Sequence, residues 1–85
     1  MAVLDRSTWA LPAPVRLLEE HGVPRAESER AFNCGVGMVA AVSPRVADAV
    51  VDRLRAAGIP AWVAGTVGTR TDDTAPAAHL VGTYR

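Results

Sequence analysis

The sequence predicts an α+β fold, a small α/β-like layer in which a sheet of about three strands packs with two to three helices. Three observations carry this expectation. Apolar residues recur at helical spacing in residues 45–57, between a Ser-Pro start and a glycine stop, while short β-like runs occupy 38–42, 60–68 and 78–85. The composition, 49% hydrophobic and 21% charged, is that of a chain that folds. At 85 residues there is room for one domain, spanning 1–85, and a chain this short buries only about 60–65% of its unfolded surface.

The elements follow in order. "LDRSTWALPAPVRLLEEHG" opens with a polar turn and two prolines, after which Val15, Leu18 and Leu11 share a helical face and Gly22 ends the helix with a positive φ. "VPRAESERAF" restarts at Pro24 and runs to about Phe32, where Asn33 and Gly35 break it. "MVAAV", residues 38–42, is apolar at every position, as expected of a strand buried on both faces. Ser43 and Pro44 then suit a helix start, and Val46, Ala49, Val50, Leu54 and Ala57 define the apolar stripe before Gly58.

"PAWVAGTVG" reads as a second strand, "TRTDDTAPA" as a polar loop, and "AHLVGTYR" as a third strand with Ala78, Leu80, Gly82 and Tyr84 facing a core and His79 facing outward. The helix over 45–57 is expected to cover one face of the sheet. Three strands leave exposed edges and an uncovered second face, so the pattern suits part of a larger domain or a self-associating one.

Charge and cysteine usage narrow the function classes. Nine basic and nine acidic side chains balance, and no basic run or aromatic ladder is present, which argues against nucleic acid or an acidic membrane surface as a partner. One cysteine cannot form an internal disulfide, and no apolar run approaches the roughly 18 residues that span a bilayer. With no signal-like N-terminal segment, a cytoplasmic location is expected.

The candidate site is the stretch "FNCGVGM", residues 32–38. Asn33, Gly35 and Gly37 can be read as a backbone cradle whose N–H groups meet an anionic or amide-bearing substrate, or as a helix-to-strand corner that needs positive φ. Cys34 can be a nucleophile, if a base or helix terminus stabilises its thiolate, or a small buried residue; no base is local to it. His21 suits the end of a helix dipole, and His79 an exposed strand face. The spacing of His21, Cys34 and His79 fits no zinc motif. The pair Asp72 and Asp73 falls in the polar loop, and Glu19 and Glu20 on a solvated helix face. Trp9 and Trp62 read as core anchors, with Trp9 alternatively packed against a partner.

The same stretch resembles the signature in the C-terminal domain of the aminoimidazole ribonucleotide synthetase family, also called phosphoribosylformylglycinamidine cyclo-ligase. The likeness extends through "LDRSTWALP" before it and "ADAVVDRLRAAGIPAWVAGTV" after it, with a Gly-x-x-Ala-Trp-x-x-Gly arrangement at Gly58, Ala61, Trp62 and Gly65. It covers roughly residues 4–67 and departs at Ala31, where the family carries threonine.

The resemblance implies a part of an ATP-dependent, ring-closing enzyme of purine biosynthesis, in which ATP activates a formyl oxygen and a nitrogen of the same molecule attacks. It implies that Asn33, Gly35 and Gly37 border the substrate. ATP and magnesium are expected of the full-length family enzyme and no cofactor of this chain, which has no phosphate-binding Gly-Lys loop and no lysine. The N-terminal ATP-binding domain is expected to be absent and the chain to be a fragment or truncated relative, inactive alone. The expected partners are a second copy in a dimer or the missing domain, together with a nucleotide-like small molecule. A stand-alone binding or assembly module derived from this domain is the alternative, and a small enzyme built on Cys34 a third.

Overall fold

A computed structural model describes residues 1–69 and 77–85. The α+β class holds: a mixed three-stranded sheet and three helices. The strands are β1 (Ala2–Asp5), β2 (Gly65–Val67) and β3 (Ala78–Val81), and the helices are α1 (Ala13–Glu20), α2 (Arg25–Ala31) and α3 (Ala47–Ala56), with a 3-10 turn at Arg6–Thr8. β1 is central. It pairs antiparallel with β2, Val3 opposite Thr66, and parallel with β3, Val3 opposite His79.

The three helices form where the sequence places them, because their stops are local. Gly22 (φ +103°) and Gly58 (φ +84°) take the left-handed conformation after α1 and α3. At each end two N–H groups return to the last turn: Gly22 to Glu19 and Val23 to Leu18 (both 3.1 Å), and Gly58 to Arg55 and Ile59 to Leu54 (both 3.0 Å). This double closure satisfies carbonyls that the helix itself leaves open. α1 and α2 each start behind an extended proline, Pro12 and Pro24. Ser43 starts a turn just before α3, its carbonyl accepting from Val46 N–H (3.0 Å), so the helix begins later than the Ser-Pro pair suggests.

The strands need correction. Residues 38–42 form no strand and are not buried; Met38 is 90% and Val39 62% exposed. An apolar run becomes a buried strand only beside strands that pair with it, and the central position here belongs to β1, which the sequence reading left inside a polar turn. The second strand shrinks to Gly65–Val67, and the third ends at Val81. β2 and β3 are exposed throughout, so the expected burial of Ala78 and Leu80 is not found, whereas His79 is exposed as expected. α3 buries no residue and does not provide the expected cover of the sheet. The molecule is a flat slab of 42 × 39 × 18 Å.

Its core lies at one side. Leu11, Val15 and Cys34 form a buried cluster against which Tyr84 packs, and buried Trp9 adjoins it. Trp62 is half-buried and rests on Trp9, ring centroids 6.0 Å apart. Asp72 and Asp73 lie outside the described residues.

Candidate functional site

The chain between α2 and α3 begins with a tight corner. Asn33 Oδ1 accepts the Gly35 N–H (3.0 Å) and the Asn33 carbonyl accepts the Val36 N–H (3.1 Å), an Asx turn that bends the backbone twice. Cys34 (φ +52°) and Gly35 (φ +97°) are both left-handed. At Gly35 a side chain would also crowd Pro12, whose Cγ lies 3.0 Å from the Cβ position, so glycine is fixed there by conformation and by space. Gly37 has nothing within 4 Å of its Cβ position. Asn33, Gly35 and Gly37 are exposed, while Cys34 is buried in the core.

The corner is anchored from below. Trp9 Nε1 donates to the Cys34 carbonyl (3.1 Å), and Cys34 Sγ lies 3.5 Å from the Ser28 carbonyl. Burial, followed by the nearby Glu29 carboxylate, pushes the Cys34 thiol above its ordinary range. The Tyr84 hydroxyl and the Arg25 guanidinium favour a thiolate but do not outweigh burial and Glu29, so Cys34 is the small core residue of the two readings. Native Cys34 is therefore expected to alkylate with iodoacetamide at least about tenfold more slowly than in the urea-unfolded chain. Equal rates would show that the corner opens freely.

A charged network unforeseen from the sequence ties this core to the C-terminal segment. Arg6 grips Glu29 through two hydrogen bonds (2.7 and 2.8 Å), with side-chain exposures of 20% and 13%. Tyr84 donates its hydroxyl to the same carboxylate. The Arg6 hydrogen bonds chiefly, despite burial, hold Glu29 down at about 2. Burial, then Glu29, raises Tyr84, and Glu29 raises Arg6. Arg25 lies over the Tyr84 ring (4.8 Å to the centroid) and pairs with Glu19 (2.7 and 3.0 Å). Glu19 is thus half of an ion pair, not the freely solvated residue expected. The only sequence hint was the alternation that turned Tyr84 inward.

Other candidates stand apart. His21 sits at the C-terminus of α1, its Nδ1 2.9 Å from the Leu17 carbonyl oxygen. Among the described residues no group of three or more His, Cys, Asp or Glu side chains is placed to hold a metal. Also among them, no helix is long and apolar enough to cross a membrane.

Residues 2–76 match the family described as AIR synthase related protein, C-terminal domain, and the chain belongs to it. Its relatives include the phosphoribosylformylglycinamidine cyclo-ligases of Burkholderia multivorans, 51% identical over 67 residues, and of Burkholderia cenocepacia and Burkholderia ambifaria, each 49% identical over 67 residues. Each match covers 78% of this chain and 19% of the relative, so the chain spans about a fifth of the length of these proteins. No solved structure matches the chain.

Proposed function

We propose that the chain forms one wall of the substrate cleft of a phosphoribosylformylglycinamidine cyclo-ligase in purine biosynthesis, is not catalytic alone, and works in the cytoplasm beside the domain that supplies ATP and magnesium. The observation that carries this is the Asx corner at Asn33. It leaves Asn33, Gly35 and Gly37 exposed within the segment shared with relatives that bear this name. The Gly35 and Val36 N–H groups are spent within the turn, so the Asn33 side-chain NH2 and the Gly37 N–H are the donors a formamide- and phosphate-bearing substrate would meet. The phosphoryl chemistry belongs to the rest of the enzyme, since the corner carries no cation to stabilise transferring charge.

The test is isothermal titration of the chain with a formylglycinamidine ribonucleotide analogue, comparing Asn33→Ala and Asn33→Asp. Binding that both variants weaken about tenfold, the size of one lost hydrogen bond to a charged or amide group, supports the cleft. Binding untouched by either removes Asn33 from the site. Ring closure when the chain is mixed with the matching N-terminal domain would support its role as a cleft wall; no activity in any combination counts against it.

A second reading, an assembly module that self-associates, rests on a separate observation. Met38, Val39 and Val42 are exposed in one run, and β2 and β3 are open edges of the sheet. Self-association is expected under both readings and is tested by sedimentation equilibrium; a monomer across a broad concentration range rejects it and with it the assembly module.

A further inference from the structure

Outside the Asn33 corner, the residues leading into β2 fold back on the turn after β1 and leave a cleft of about 340 Å³. Trp9, Trp62 and Pro60 line it with apolar surface, Arg55 and Arg85 with charge, and no acidic side chain contributes to its wall. We propose that this cleft binds a flat aromatic ring carrying an anionic group, the chemistry of a nucleoside monophosphate, with the ring against Trp62 and the anion on Arg55 and Arg85.

The aromatic wall is built in advance. Trp62 Nε1 donates to Thr8 Oγ1 (3.0 Å), and that hydroxyl donates in turn to the Asp5 carbonyl (2.8 Å). Both polar groups are thereby satisfied and the indole plane is fixed before any ligand arrives, so little rotamer freedom remains to be lost on binding. Trp9 supports Trp62 from beneath, the two rings tilted by 41°. Trp62 keeps a minor part of its surface accessible, whereas Trp9 is buried. A partly accessible indole beside guanidinium groups offers stacking and charge together.

The cationic wall is similarly placed. Arg55, in the last turn of α3, spends its Nε on the Ala61 carbonyl (2.8 Å). That bond holds the guanidinium at the rim and leaves its two terminal nitrogens without an acceptor among the described residues. Arg85 also lines the cleft, its backbone N–H given to the Trp9 carbonyl (3.1 Å) and its main-chain oxygen held by Arg16 Nη2 (2.8 Å). Arg55 and Arg85 enter none of the ion pairs among the described residues, whereas Arg6, Arg25 and Arg30 each have a glutamate. Two arginines lining one cleft with aromatic residues and no acidic side chain offer cationic donors to a phosphate or carboxylate. At this volume the cleft falls at the small end of ligand sites, matching one nucleotide and not an extended polymer. The inference does not rest on the substrate-cleft reading, since the two sites share only Trp9.

The experiment is titration of the chain with AMP, adenosine and inorganic phosphate, followed by tryptophan fluorescence with excitation beyond the adenine band. AMP should quench saturably and at least about tenfold more tightly than adenosine or phosphate alone, because only AMP engages both walls. Arg55→Ala and Arg85→Ala should each weaken AMP about tenfold with unchanged far-UV circular dichroism, Arg55→Lys less, and the distant Arg30→Ala not at all. Adenosine binding as tightly as AMP, phosphate alone accounting for the affinity, Arg55→Ala binding like the parent, or no saturable quenching would each overturn the proposal.

Discussion

Replacing Trp9 by alanine is expected to leave the chain largely unfolded at room temperature. The buried apolar set among the described residues is small, Trp9, Leu11, Val15 and Cys34, and Trp9 is its largest member at 6% exposure. Its ring meets Tyr84 edge-on at 5.4 Å and Trp62 at 6.0 Å, its Nε1 holds the Cys34 carbonyl, and its own carbonyl takes the N–H of Arg85. One side chain thus joins the Asn33 corner, the lead into β2 and the C-terminal segment. Truncating a buried tryptophan costs about 3–5 kcal/mol. A chain of this length has a total stability of about 4–12 kcal/mol, and a flat slab belongs at the low end of that range. Trp9→Phe keeps most of the apolar contact but orphans the Cys34 carbonyl, for a loss of about 1–2 kcal/mol. Urea unfolding followed by far-UV circular dichroism checks both. A Trp9→Ala chain with the parent's midpoint would show that the core lies elsewhere.

The same residues show what a linear reading can reach. The helix stops at Gly22 and Gly58 and the Asn33 break were legible because each is decided by neighbours within a few positions. The buried Cys34 and the inward Trp9, Leu11 and Val15 were legible because their residue types favour a core, although the partners that bury Trp9 and Cys34 are distant in sequence. β1 was not. Its four residues have little β signal of their own, and the Asp5 side chain, accepting from Ser7 N–H and Oγ (2.9 and 2.7 Å), writes a polar turn over its end. What makes them a strand is pairing with β2 and β3, more than sixty positions away. Residues 38–42 fail in the opposite sense: their β signal is strong, yet no described strand pairs with them. Their exposure, with that of β2 and β3, is the physical reason that a covering partner is proposed. Arg6, Glu29 and Tyr84 were hidden because their separations of 23 and 55 positions give no local pattern.

Acid is expected to destabilise the chain in a window set by Glu29. Its carboxyl is held at about 2 in the folded chain against an ordinary 4.5, first by the Arg6 hydrogen bonds and then by the Tyr84 hydroxyl. A carboxyl lowered on folding contributes stability that is complete above its unfolded value and is lost as pH falls through its folded value. The contribution is therefore whole above about pH 4.5 and gone below about pH 2. Glu29→Gln removes it at every pH and leaves Arg6, 20% exposed, without its anion, a loss of about 2 kcal/mol near neutrality. Thermal melts of parent and variant across this range should converge: a wide gap at neutral pH that closes progressively as Glu29 protonates. Asp5 and Glu19, also lowered by hydrogen bonds, add an acid response common to both proteins, so the difference between the two curves isolates Glu29. Tyr84→Phe should narrow the window less, since Arg6 remains the principal partner. A gap that stays constant from neutral to acid pH would mean that the Arg6–Glu29–Tyr84 cluster does not hold the C-terminal segment to the core.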